Sequence, residues 1–132
     1  MAATPFRLTI SVAAGDIDEQ RHVNNTVYLR WVQEAALAHW QVIASPESQQ
    51  SIDWVVLRHE IDYKAPAVAG DSLDVSTWVG KATRLTFERF TEIRRSRDNT
   101  VLAAARTLWC PVDTETRRPR RVPDEVRTQF SL

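Results

Sequence analysis

The chain has 132 residues, 43% of them hydrophobic, which is enough for one domain with a buried core and too little for two. Its 17 basic and 17 acidic side chains cancel, so no net field would hold it to nucleic acid or to an anionic membrane, and any anion it binds must be gripped locally. Cys110 is the single cysteine, which excludes an internal disulfide and a thiolate metal cluster and fits a reducing compartment.

At the N-terminus Arg7 is followed by no apolar leader, and no apolar run approaches the roughly 20 residues that cross a bilayer, so the expected address is the cytoplasm. From Phe6 to Val12 the residues Phe6, Leu8, Ile10 and Val12 share one parity and Arg7, Thr9 and Ser11 the other, as a half-buried strand requires. Gly15 breaks this strand.

The period then changes. From about Asn25 to Ala44, Tyr28, Trp31, Val32, Ala35, Ala36, His39, Trp40 and Ile43 recur at helical spacing, with Asn24 or Asn25 as N-cap and Pro46 beyond the end. Val27, Leu29, Leu37 and Val42 widen the apolar stripe, which predicts a helix covered on several sides.

Ser45 to Ser51 reads as a polar connection. Four strands follow: Trp54 to Lys64, the alternating stretch Leu73 to Val79, Leu85 to Arg95, and Thr100 to Val112, where Cys110 sits in an apolar run and reads as packed. Gly80 to Thr83 and Ser96 to Asn99 are short enough for hairpin turns. Pro123-Asp124-Glu125 has the form of a first helical turn. One strand, one long helix and several antiparallel strands predict an α+β fold, a curved sheet around one helix over residues 1–132. The free edges of such a sheet predict a homo-oligomer, a dimer or a tetramer.

Gly15 to Trp31 carries the chemistry. Asp16, Asp18, His22, Asn24 and Asn25 crowd in just before the long helix, beside the positive end of its dipole, a combination suited to reaction at a carbonyl. Asp18 has a plainer reading as the acid that closes the loop, and the asparagines as helix caps. Asp16, Asp18, His22 and His59 are metal-ligating types, but their spacing matches no zinc signature, and no metal is expected.

The order of elements, with Gly15-Asp16-Ile17-Asp18 followed by Tyr28-Leu29-Arg30-Trp31, resembles the hotdog-fold acyl-CoA thioesterases of the 4-hydroxybenzoyl-CoA thioesterase type over nearly the whole chain. His22-Val23-Asn24-Asn25 with the downstream tyrosine is also similar to plant acyl-carrier-protein thioesterases, and Tyr63-Lys64-Ala65-Pro66 with Gly70-Asp71 resembles the family's next strand and turn.

The resemblance implies hydrolysis of an acyl-CoA or acyl-carrier-protein thioester to acid and thiol, with no cofactor beyond the coenzyme A of the substrate. It implies Asp18 as nucleophile or general base, a backbone N–H near Asn25 as oxyanion donor, and His22 and Glu60 at the positions of the plant histidine and glutamate. Asp16 or Glu60 is then the second charge that raises the Asp18 pKa. Gln20 departs from an asparagine of the plant pattern. Arg21 stands where many relatives have glycine, and is strained there if that glycine needs a positive φ, or else faces the ligand.

Tyr28 and Trp31 read as acyl-pocket or core residues, with the former taken for substrate binding. Lys81 and Arg84 in the Gly80 turn are expected to meet the phosphates of coenzyme A, with solvated turn charge as the plain alternative. The patch Arg117, Arg118, Arg120 and Arg121 faces the same choice between phosphate contact and solvent. Hotdog dehydratases carry Asp-x-Asn-Pro-x-His, which this chain lacks. The remaining alternative is a non-catalytic acyl-CoA binding or sensing module, since one fold serves many functions.

Overall fold

The computed structural model describes residues 5–130. Its strands β1 (Phe6–Ser11), β2 (Ile52–Tyr63), β3 (Ser72–Ala82), β4 (Phe87–Arg95) and β5 (Val101–Asp113) form one antiparallel sheet in the order β1-β3-β4-β5-β2. Helix α1 (Asn25–Ile43) packs on one face, and the short helices α2 (Pro46–Ser51) and α3 (Asp124–Gln129) lie at the ends of the strands.

Period-two alternation sets the inner face. Leu73, Val75, Thr77 and Val79 on β3 and Phe87, Arg89, Thr91 and Ile93 on β4 are all buried. Against them α1 turns Val27, Tyr28, Trp31, Val32, Ala35, Ala36 and Trp40. The core divides in two. One cluster, around Tyr28, Trp31, Leu73, Ile93 and Leu102, sits under the first half of α1. The other, around Trp40, Ile52, Phe87, Val126 and Phe130, sits under its end and is closed by α3.

Between the two clusters runs a buried polar layer. Thr77 Oγ1 donates to the Phe90 carbonyl at 2.8 Å, and Arg89 Nη1 lies 3.1 Å from Thr77 Oγ1 and 2.9 Å from His39 Nδ1. Burial of polar groups is tolerable only when they are hydrogen-bonded, and here Thr77 Oγ1 and His39 Nδ1 accept from Arg89 while the Phe90 carbonyl accepts from Thr77.

Two sequence expectations change. Ser45–Ser51 is not a bare connection, since Ser45 caps α2 through a 3.2 Å contact from Ser48 N and Pro46 occupies its first turn. The hairpin after β3 is not built on Gly80 either. β3 continues through Gly80, and the turn falls at Thr83–Thr86, closed by Thr83 N to the Thr86 carbonyl at 2.8 Å. Gly80 is required for space, because a Cβ there would lie 2.6 Å from both Glu88 Oε1 and Phe90 Cε2.

A bulge in β2 between Val56 and Arg58 has a larger consequence. Ile52, Trp54 and Val56 face inward before it, and after it the inward parity passes to His59 and Ile61. Glu60 therefore lies on the outer face. The prediction that α1 is covered on several sides also fails within one chain, for Leu37 and Val42 are 55% and 71% exposed.

Candidate active site

Ile17 and Val23 pair across a tight loop, and Asp18 N donates to the His22 carbonyl at 2.9 Å while Arg21 N donates to the Asp18 carbonyl at 3.0 Å. This is a type I turn followed by a residue in the left-handed region, a pattern that favours glycine at its last position. Arg21 occupies that position with φ of 66°, so the strain anticipated for an arginine in the place of glycine is present, at about 1 kcal/mol or more. The Asp18 carboxylate accepts from Gln20 N at 2.9 Å through Oδ1. Among the described residues its Oδ2 has no partner. Asp18 shares an open cleft with Ile17, Glu19, Gln20 and Asn24, and His22 is exposed beside it.

Asp16 anchors this loop. It is 5% exposed, and its carboxylate accepts from Ala13 N at 2.9 Å and from Arg30 Nη2 at 2.8 Å. Burial alone would raise its pKa, but the Arg30 and Ala13 hydrogen bonds and the Arg30 charge together hold it below the usual carboxylate range. Asp16 is thus the buried partner of Arg30, and its carbonyl accepts from Asn24 N at 2.9 Å, tying the loop to the helix start.

Asn24 is the N-cap of α1. Its Oδ1 accepts from Thr26 N at 2.9 Å and from Thr26 Oγ1 at 2.8 Å, and its carbonyl accepts from Val27 N. The cap thereby leaves the Asn25 N–H without an acceptor among the described residues, at the positive end of a 19-residue helix and one residue from the cleft that holds Asp18. The Asn25 carbonyl accepts from Tyr63 OH at 3.1 Å.

Glu60 is not brought to this loop. Its carboxylate meets Arg58 Nη2 at 2.7 Å and Arg106 Nη1 at 3.7 Å on the outer face, the result of the β2 bulge. Tyr28 and Trp31 are core residues, 2% and 1% exposed, and neither lines the Asp18 cleft or the cavity under the later half of α1. Tyr28 accepts from Ala67 N at 2.9 Å, and burial pushes its phenol upward in pKa. The second cavity, of about 710 Å³, lies under the later half of α1.

That cavity is walled by Trp40, Trp54, Phe87, Trp109 and Phe130, with Ala36 and Leu37 above. Its aromatic residues are scattered over α1, β2, β4, β5 and the end of α3. Only their inward parity, read together with the strand order, could have joined them.

Lys81 and Arg84 lie at the Thr83–Thr86 turn, where Arg127 Nη2 donates to the Thr83 carbonyl at 2.7 Å. Along β3 this is about 30 Å from Ser72, the end near which the Asp18 loop sits. In the arginine patch, Arg117 pairs with Asp53 and Arg120 meets Asp113 at 3.5 Å. Cys110 is buried, and burial pushes its thiol pKa up. No helix among the described residues is long and apolar enough to cross a membrane.

Residues 12–130 match the thioesterase-like superfamily. The chain belongs to that superfamily. Among curated relatives of this thioesterase-like protein is a palmitoyl-acyl carrier protein thioesterase of Cuphea hookeriana, 26% identical over 95% of this chain and 32% of its own length. The chain thus spans about a third of the length of such curated relatives.

Solved structures share the hotdog fold. A 1,4-dihydroxy-2-naphthoyl-CoA thioesterase from Synechocystis superposes with a TM-score of 0.84 at 23% identity, covering 97% of this chain and 96% of its own. A 12:0-ACP thioesterase from Umbellularia californica superposes with a TM-score of 0.80 at 24% identity, covering 96% of this chain and 49% of its own.

Proposed function

We propose that this protein hydrolyses an acyl thioester to a free acid and a thiol at the cleft between Asp18 and the start of α1. The observation that carries this reading is the unpartnered Asn25 N–H, left free by the Asn24 cap beside a carboxylate with one uncommitted oxygen. Attack on a thioester puts negative charge on the carbonyl oxygen, and a fixed N–H donor at a helix N-terminus stabilises that charge without reorganising. One such donor is worth about 3–4 kcal/mol in the transition state.

Asp18 supplies the second element by one of two routes. It attacks the acyl carbon, the thiolate leaves, and water then opens the resulting anhydride; or it takes a proton from a water that attacks directly. His22, exposed in the same loop, is the group available to the leaving thiolate. The thiol carrier is coenzyme A or an acyl carrier protein, the two classes named among the similar proteins.

The same reading includes a two-chain site. β2 is an edge strand, and Leu57 on it is 58% exposed, as is 55% of Leu37 above. An apolar edge of this kind is normally covered. Antiparallel pairing of two β2 edges sets the Tyr63 end of one strand beside the Ile52 end of the other. The Asp18 cleft of each copy would then adjoin the aromatic cavity, and the Lys81–Arg84 turn, of its partner.

Incubation of the pure protein with a panel of acyl-CoA and acyl-carrier-protein esters, following free thiol, tests the proposal. Thiol release is expected. Saturable binding with no release would instead identify a non-catalytic acyl-CoA module.

A further inference from the structure

The aromatic cavity under the later half of α1 is not uniformly apolar. Arg89 lines it, yet is 5% exposed, and among the described residues it meets no carboxylate. Nη1 is committed to His39 Nδ1 and Thr77 Oγ1, and the guanidinium carbon lies 5.7 Å from the centre of the Phe130 ring. The Nε and Nη2 donors have no acceptor among the described residues. A buried cation is costly without a counter-charge, and two neutral acceptors and an aromatic face offset only part of that cost.

The neighbouring groups do not complete it. His39 supplies no negative charge, and burial, then the Arg89 charge, push its pKa down to about 4, so the ring accepts as a neutral imidazole. Burial lowers Arg89 to about 10, which leaves it cationic at neutral pH. Asp53, the one acid in the wall, is half exposed and paired with Arg117, so among the described residues the lining carries one uncompensated positive charge. Two more donors lack acceptors in the same wall: the indole N–H groups of Trp54 and Trp109 are buried and unpartnered. Among the described residues, the buried groups of the wall that lack a hydrogen-bond partner are all donors. They call for an acceptor, and the net charge of the wall calls for an anionic one.

We propose that this cavity selects an acyl group carrying a carboxylate at its far end, with Arg89 as the specificity-determining residue and the Trp54 and Trp109 indoles as its neutral donors. The cavity spans Gln33 to Gln41, about 12 Å of helix rise, which suits a chain of moderate length rather than a long fatty acyl group. The inference rests on the thioesterase reading for how the acyl group arrives, and on the cavity alone for what it recognises.

Matched thioesters test it: adipoyl-CoA against hexanoyl-CoA, suberoyl-CoA against octanoyl-CoA and sebacoyl-CoA against decanoyl-CoA. In at least one pair the carboxylated ester should have the higher kcat/KM, by about tenfold or more, the scale of a hydrogen bond to a charged group. Arg89→Met should abolish or invert that ratio, whereas loss of a merely structural arginine would lower both members equally. Trp109→Phe, which keeps the ring and removes the N–H, should shrink the ratio and serves if Arg89→Met does not fold. A preference for the unsubstituted chain in every pair, or a ratio untouched by these changes, overturns the proposal. If no ester is hydrolysed, the hydrolase reading fails, and tryptophan fluorescence with free suberate and octanoate still decides the cavity: tighter suberate supports the proposal, and equal or weaker suberate overturns it.

Discussion

Arg30 reaches back from the second turn of α1 to the buried carboxylate of Asp16, Nη2 to Oδ1 at 2.8 Å, and so fastens the loop that presents Asp18 to the helix that presents the Asn25 N–H. Two elements of the candidate site, fourteen positions apart in this contact, are held by one ion pair whose acid is 5% exposed.

Asp16→Asn should therefore cost about 1–3 kcal/mol, the penalty for disrupting a buried hydrogen-bonded charge, and should lower thiol release even though Asp16 is no reactant. The pH dependence follows from the sign of its pKa shift. The folded-state value lies below the unfolded one, so the stabilisation is complete above the unfolded value of about 4 and is lost as pH falls through the folded value. Urea unfolding at neutral pH and at progressively lower pH checks both: wild type should lose this contribution in acid, and Asp16→Asn should show a flatter profile there.

Arg21→Gly should stabilise the protein by about 0.5–1 kcal/mol, because relief of a positive φ exceeds the extra unfolded-state entropy of glycine. Urea unfolding measures it. A loss of stability would mean that the Arg21 side chain makes an interaction worth more than the strain.

Lys81→Ala with Arg84→Ala should raise KM for acyl-CoA esters more than it changes kcat, since phosphate contacts are felt alike in the ground and transition states. Within one chain the turn and the Asp18 loop sit at opposite ends of β3, so this effect requires the two-chain site. Light scattering on Leu57→Glu, which places a charge at the open β2 edge, should show a monomer with the same KM defect. An unchanged KM in Lys81→Ala with Arg84→Ala would move the nucleotide elsewhere.

Trp31→Ala should cost about 3–5 kcal/mol as a core truncation, since the ring is 1% exposed and lies outside the aromatic cavity. A small loss of stability with a large change in acyl preference would return Trp31 to the substrate pocket.

The elements were legible in the sequence wherever periodicity was long. The spacing from Tyr28 to Ile43 defined α1, and alternation defined β3. The Asp18 loop was legible as a break before the helix, because turn chemistry is local, whereas the positive φ of Arg21 was anticipated only through the glycine of the resembling family. Glu60 was named from the resemblance alone, and the β2 bulge that turns it to the outer face leaves no mark in a pattern of hydrophobicity. Tyr28 and Trp31 were assigned to a pocket because helical spacing alone does not distinguish a core face from a cavity wall. The aromatic cavity itself escaped, since Trp54, Phe87, Arg89 and Trp109 become neighbours only through the strand order β4-β5-β2.

The pairing of Asp18 with the free amide of Asn25 is tested most directly by thiol release from the preferred acyl ester in wild type and in Asp18→Asn, with circular dichroism to verify folding. Turnover should fall by about a thousandfold or more, the scale for loss of a catalytic group, in a variant that stays folded. A folded Asp18→Asn protein that keeps most of its thiol release would contradict the account.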